Sequence, residues 1–216
     1  LIAFSSNRMF LPMYALMMCS IDADLRQHGM LNLVVGSHGF GPVFCEWEGV
    51  QCNALGAVVE IRWKALKTEY VDVRWVPQTV EHLHFEFLHL RTDTFNVRNL
   101  PRSLISCRLA SLNLSGTPDL LVLPVKLENL DLQRNNLFGT LNFLLLPDHI
   151  STIDFSGNTF DLIIVNKGAL PESLTRVSFY QEKLRIRVLD GRKLDKRFKV
   201  EKIGWSLKND RQYKFF

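Results

Sequence analysis

The stretch Pro124–Leu146, PVKLENLDLQRNNLFGTLNFLLL, carries a spacing of apolar residues that recurs along the chain and decides its fold. With Pro124 counted as zero, apolar residues stand at +3, +6, +8, +13 and +17, and an asparagine stands at +11. Copies of this template start 22, 24, 23, 23 and 24 residues apart, at Leu55, Pro77, Pro101, Pro124, Pro147 and Pro171. A spacing held through six copies is typical of a solenoid, in which each repeat forms one coil.

The positions within one repeat predict its local structure. Residues at +6 and +8 lie two apart, so in a β-strand their apolar side chains share the interior face, and those at +5, +7 and +9 point outward. Stacked coils pair their strands in parallel and join the apolar rows into one core. Asparagine at +11, present as Asn135 and Asn158, suits a turn because its side chain can bond backbone groups. Other residues fill this position in the outer repeats, whose turns are therefore less regular.

Residues 123–141 read LPxxLxxLDLxxNxLxGxL, which resembles the plant-specific class of leucine-rich repeats. The segment Cys45–Cys52, CEWEGVQC, is similar to the CxWxGVxC element of the N-terminal cap in such proteins. Residues 56–63, GAVVEIRW, match the GxVxxIxW pattern that begins their first repeat. Similar proteins form large families in single-celled eukaryotes, often secreted or at the cell surface. The resemblance runs from about Cys45 to Val188.

The resemblance implies an α/β solenoid, a leucine-rich-repeat horseshoe of about six repeats of 22–24 residues with a parallel sheet on its concave face. We expect an N-terminal segment and cap over residues 1–54, repeats over 55–189, and a basic C-terminal cap or tail over 190–216. The matching cysteines of similar caps are usually joined, which implies a disulfide between Cys45 and Cys52 and an oxidising compartment. A zinc site is the competing interpretation, but no second Cys or His pair stands at a suitable spacing.

Parallel strands align their outward side chains in rows, and the rows of this chain are mostly polar. Such a surface favours recognition of a protein or peptide, whereas apolar rows would have indicated a hydrophobic ligand. The central acidic pair, Asp131 and Asp154, falls on adjacent repeats in one row. The candidate partner-binding residues of the concave face are Arg62, His82, His84, Glu86, Arg108, Asn129, Asp131, Gln133, Asp154, Arg176 and Tyr180.

Candidate catalytic chemistry is sparse. No GxSxG, HExxH or kinase signature occurs, and we expect no enzyme, catalytic residue, cofactor or metal. His82, His84 and Glu86 could together bind a metal, but a polar binding surface explains them more simply. We therefore expect a non-enzymatic protein–protein interaction module that is extracellular or at the cell surface. The alternative is an intracellular, cytoplasmic scaffold or adaptor of the same fold.

The end of the chain is basic, with twelve Lys or Arg against four Asp or Glu from Lys183 to Phe216. These charges belong to a solvated end-cap, or they contact phosphates, acidic lipids or an acidic partner. Nucleic-acid binding is not expected, because no RNA-recognition, zinc-finger or helix-turn-helix pattern accompanies the charge.

Three further features lie near the beginning and in the middle of the chain. The apolar run Met9–Cys19 fits either a cap helix or a signal-peptide core, and no uninterrupted apolar stretch reaches the length of a membrane span. Asn113-Leu114-Ser115 is a glycosylation sequon, a weak signal that matters only for a secreted protein. Cys107 occupies an inward +6 position, which predicts a buried, small apolar residue.

Overall fold

Seven short strands, one from each successive coil, pair in parallel to form most of the larger of two sheets. The computed structural model describes residues 45, 47–64, 73–88, 94–191 and 193–201. The run Met9–Cys19 therefore lies outside the described residues. In chain order the strands are β1 Val50–Cys52, β2 Val58–Lys64, β3 His82–Glu86, β4 Ser106–Ala110, β5 Ser115–Gly116, β6 Asn129–Asp131, β7 Asn136–Phe143, β8 Thr152–Asp154, β9 Thr159–Val165, β10 Arg176–Tyr180, β11 Arg185–Val188 and β12 Phe198–Glu201.

The larger sheet has eight strands in the order β1-β2-β3-β4-β6-β8-β10-β12, and only β1 runs antiparallel to its neighbour. Its parallel strands pair in the register that the repeat predicts. The +7 residues therefore lie side by side on adjacent strands and form one row across the sheet. The row consists of Arg62, His84, Arg108, Asp131, Asp154, Ser178 and Lys199.

The return segments form a second sheet of four strands in the order β11-β9-β7-β5. Helical structure in the described residues is confined to 3-10 turns, the main ones being Val73–Trp75, Val97–Asn99, Leu120–Val122 and Lys167–Ala169. The protein is thus a parallel β-solenoid of about six turns, which confirms the predicted solenoid and parallel sheet. The helices expected of an α/β solenoid are not found in the described residues. The return segments form strands there instead, because β7 and β9 alternate buried and exposed side chains and pair with each other from one coil to the next.

The core is one continuous apolar cluster that extends from Trp47 to Phe198. Inward residues of both sheets fill it, and five phenylalanines join the sheets in its C-terminal half. The Phe155 ring lies 5.7 Å from that of Phe179 and 5.3 Å from that of Phe160, and the Phe143 ring lies 5.0 Å from that of Phe198. Cys107 is also buried in this cluster, as the repeat register predicts.

The segment before the first coil contains a disulfide between Cys45 and Cys52, which confirms the predicted pairing. Trp47 lies between these two cysteines in the sequence, and its side chain is buried. The strand β1 pairs with β2. Gly49 has a φ of +78°, and a Cβ there would collide with the carbonyl oxygen of Arg62. The glycine of the cap motif is therefore required both for its backbone conformation and for close approach of the chains.

The sheet continues beyond residue 189, where the repeats were expected to end. Phe198 and Val200 of β12 stand beside Val177 and Phe179 of β10, so they fill the inward positions of a further coil. Asp195 lies three residues before Phe198, the position that Leu174 occupies in the previous coil. Its carboxylate is buried. Part of the basic C-terminal segment thus belongs to the solenoid.

Candidate recognition surface

The side of the eight-stranded sheet that bears the +5, +7 and +9 residues, here called the outer face, carries a chain of alternating charges. The amino group of Lys64 lies 3.4 Å from a Glu86 carboxylate oxygen. The Arg108 guanidinium lies 3.6 Å from Glu86 and 3.2 Å from Asp131. Since the four residues come from β2, β3, β4 and β6, parallel pairing alone brings them together. These four charges largely neutralise one another, and the series of ion pairs ends at Asp131.

A hollow of about 390 Å³ lies across the middle of the outer face. Five consecutive strands of the sheet, β3, β4, β6, β8 and β10, supply its walls. Its polar lining consists of His84, Ser106, Arg108, Asn129, Asp131, Thr152, Asp154, Arg176 and Ser178. This depression can accept side chains of a ligand that lies across the strands.

Asp154 and Arg176 are the charged groups of the hollow that form no ion pair within the described part of the chain. One Asp154 carboxylate oxygen accepts a hydrogen bond from the Ser156 amide at 2.8 Å. The Arg176 Nε donates to the Ser178 hydroxyl at 2.8 Å. Both bonds orient the side chains and leave their charges unneutralised, so a ligand can supply the opposite charges.

Asp131 is held more firmly than Asp154. In addition to the Arg108 pair, its carboxylate accepts hydrogen bonds from the Gln133 amide at 3.0 Å and from the Gln133 side chain at 2.9 Å. Asn129 accepts a bond of 2.7 Å from the Thr152 hydroxyl. This network fixes the floor of the hollow before any ligand arrives.

His84 stands at the end of the hollow with its Nε2 atom 3.3 Å from the Ser106 hydroxyl. Burial, followed by the positive charge of Arg62, lowers the pKa of His84 below its ordinary value. The imidazole is therefore neutral at neutral pH and can donate one hydrogen bond and accept another.

The structure brings six of the eleven predicted surface residues into the hollow and leaves five around it. Those in the hollow are His84, Arg108, Asn129, Asp131, Asp154 and Arg176. Arg62 is paired with Glu60, and Tyr180 is 43% exposed at the end of β10. His82, Glu86 and Gln133 also lie on the outer face, outside the hollow. Sequence reasoning missed Lys199 because its coil lacks the initial proline, although Phe198 and Val200 are spaced as in the other repeats.

Asn113 is exposed and has a φ of 56°, in the turn between β4 and β5. No three His, Cys, Asp or Glu residues in the described ranges lie together as metal ligands would. The same ranges contain no helix with the length and apolarity needed to cross a membrane. Comparison of the chain with protein-family models, with curated proteins and with solved structures found no match.

Proposed function

We propose that this protein is a non-enzymatic interaction module that binds a protein or peptide on the outer face of its larger sheet. The observation that carries the proposal is the hollow, whose rigid polar floor holds two unneutralised charges, Asp154 and Arg176. A basic side chain of the ligand would pair with Asp154, and an acidic group or main-chain carbonyl would pair with Arg176. Shallow, mixed-charge surfaces of this kind suit macromolecules more than small apolar ligands.

The proposal includes assignment to the leucine-rich repeats, with the outer face as the concave side of a horseshoe. Two observations support it beyond the repeat spacing. The motif cysteines Cys45 and Cys52 form a disulfide, and Trp63 of the GxVxxIxW pattern donates a hydrogen bond from its indole to the Glu48 carbonyl at 3.1 Å. The cap motif and the first repeat thus form one unit.

We further propose that the protein is secreted or displayed at the cell surface. The disulfide supports this location, since such bonds persist in oxidising compartments. Exposure of Asn113 leaves the sequon accessible for glycosylation. The alternative, an intracellular scaffold, makes the opposite prediction for thiol state. Mass spectrometry of native material that found Cys45 and Cys52 reduced would exclude secretion.

Binding is tested by peptides selected from a random display library on the full chain and measured by calorimetry. We expect Asp131→Ala combined with Asp154→Ala to weaken such peptides at least tenfold, about 1.4 kcal/mol. Most of the loss should come from Asp154, because Arg108 already pairs with Asp131. The fold should remain intact by circular dichroism.

Asn142→Ala is the matched control, because Asn142 lies on β7 of the other sheet. Normal binding by the double variant, or equal damage from Asn142→Ala, would place recognition elsewhere on the molecule.

A further inference from the structure

Five equivalent turns form one corner of the solenoid, immediately before the strands of the larger sheet. Each is closed by a hydrogen bond from the amide of its fourth residue to the carbonyl of its first residue, a proline, at 3.0–3.4 Å. Neighbouring turns also contact each other, since the Ser103 hydroxyl donates to the Gln78 carbonyl and the Ser173 hydroxyl to the Asp148 carbonyl, both at 2.6 Å. The second residues of the turns therefore form an exposed row of Gln78, Arg102, Val125, Asp148 and Glu172.

The middle of this corner is apolar, unlike the corresponding positions of other coils. Val125 is 74% exposed, Leu145 64% and Leu121 47%. With neighbouring residues of the same two coils, these three surround a groove of about 420 Å³, and Leu144, next to Leu145 in the chain, is also exposed. The flanking coils place Arg98 and Gly168 where these two coils have Leu121 and Leu144. Contiguous exposed apolar side chains of this kind are typical of interaction surfaces.

The two sides of the groove carry opposite charges. Arg102 lies on one side, where its Nη1 atom donates to the Val122 carbonyl at 2.6 Å and so holds the guanidinium beside the groove. Asp148 and Glu172 lie on the other side, and neither forms an ion pair with any residue that the structure describes. Lys126 and His149, the third residues of the two central turns, border the groove.

We propose that this corner is the interface of a homodimer, in which a second copy packs against it in the reverse direction. A half-turn about an axis that crosses the row between Val125 and Asp148 brings Arg102 opposite the partner's Glu172. It brings Leu121 opposite the partner's Leu144 and places Lys126 beside the partner's Asp148. A surface that is positive at one end, apolar in the middle and negative at the other is complementary to its own reversed copy.

The charge pattern indicates that a second copy of the chain covers this corner. An unrelated apolar partner would need no opposite charges at the two ends, and two copies in the same direction would set Arg102 against the partner's Arg102. The reversed copy satisfies both ends and brings Leu121 and Leu144 of the two copies together. This interface lies at a corner of the coil, away from the outer face, so both surfaces can be occupied together.

The first test is sedimentation of the full chain over a range of concentrations. We expect a species of twice the 24.9 kDa monomer. Val125→Asp combined with Leu145→Asp should raise the dimer dissociation constant at least tenfold. Leu55→Asp is the matched control, since Leu55 is 92% exposed outside the corner and should leave the constant unchanged.

The second test exchanges the charges. Arg102→Glu and Glu172→Arg should each weaken the dimer at least tenfold, and both substitutions in one chain should restore it, because every contact again joins opposite charges. A chain that stays monomeric at every concentration overturns the proposal. A dimer that is indifferent to the apolar substitutions, or a double exchange that restores nothing, overturns it equally.

Discussion

The side chain of Asn135 forms hydrogen bonds with backbone groups of two neighbouring coils. Its carbonyl oxygen accepts hydrogen bonds from the amides of Leu112 and Leu114 at 3.0 and 3.1 Å. Its amide group donates to the carbonyls of Leu109 at 2.7 Å and Leu132 at 3.0 Å. Because all these groups are buried, no water can replace the asparagine.

We expect Asn135→Ala to lower the free energy of unfolding by about 2–4 kcal/mol, since buried backbone groups would be left without partners. The adjacent Asn136→Ala removes the same side chain from an exposed position and should change stability by less than about 0.5 kcal/mol. Urea denaturation measures both. Equal losses from the two variants would show that the hydrogen bonds of Asn135 contribute nothing specific.

Cys107 is a buried thiol, and desolvation raises its pKa to about 12. We expect the folded protein at pH 9 to resist alkylation at Cys107, and the urea-unfolded protein to react quickly. Between about pH 9 and 12 the unfolded thiol loses its proton, whereas the folded thiol keeps it. Ionisation of Cys107 therefore lowers the free energy of unfolding as the pH rises through this range. Mass spectrometry of alkylated peptides checks the prediction, and rapid labelling of folded protein would refute the inward position.

Among the elements, the last coil depends on an ionic contact where the other coils have an apolar residue. Arg197 donates to the Asp195 carboxylate at 2.9 and 3.2 Å, and its guanidinium also donates to the Pro171 carbonyl at 2.9 Å. The Lys167 amino group lies 3.8 Å from the same carboxylate. The side-chain hydrogen bond from Arg197 lowers the pKa of Asp195 to about 2.

A lowered folded-state pKa means that Asp195 stabilises the protein above about pH 4 and that this contribution is lost as pH falls towards 2. We expect Asp195→Asn to cost about 2 kcal/mol at neutral pH and almost nothing at pH 2. The comparison is Asp161→Asn, at an exposed position of β9, which should have little effect at either pH. Thermal denaturation followed by circular dichroism at both pH values distinguishes the outcomes. A cost for Asp195→Asn that stays constant with pH would contradict the assigned ionic role.

For the molecule as a whole, stability depends on the continuity of the core from Trp47 to the last coil. Leu130 is buried at its centre, beside Cys107 of one neighbouring strand and Ile153 of the other. We expect Leu130→Asp to cost about 3–5 kcal/mol, because it leaves a buried charge without a partner, and to disrupt several coils together. Leu55→Asp introduces the same charge at an exposed site and should melt like the parent. A Leu130→Asp protein that also melted like the parent would mean that the register is wrong.

The repeat spacing was sufficient to predict the six strands from β2 to β10 in the larger sheet and their register, as the row from Arg62 to Ser178 shows. Burial of Leu130 and Leu132 follows from a two-residue alternation that any local reading detects. The second sheet was not predicted, because its strands differ in length and β7 and β9 pair with a register shift after Gly139. The last coil was missed, since it lacks the initial proline and has Asp195, paired mainly with Arg197, in place of the expected apolar residue.

Local sequence thus accounts for which side chains face inward, because strand periodicity depends only on the chain itself. It also accounts for the disulfide-closed segment before the first coil, whose cysteines, tryptophan and glycine lie within eight consecutive residues. The pairing of Arg108 with Asp131, the free charges of Asp154 and Arg176, and the apolar groove beside Val125 depend on residues from separate coils. Their positions are set by the stacking distance and the rotamers that packing allows, and neither is encoded in one repeat.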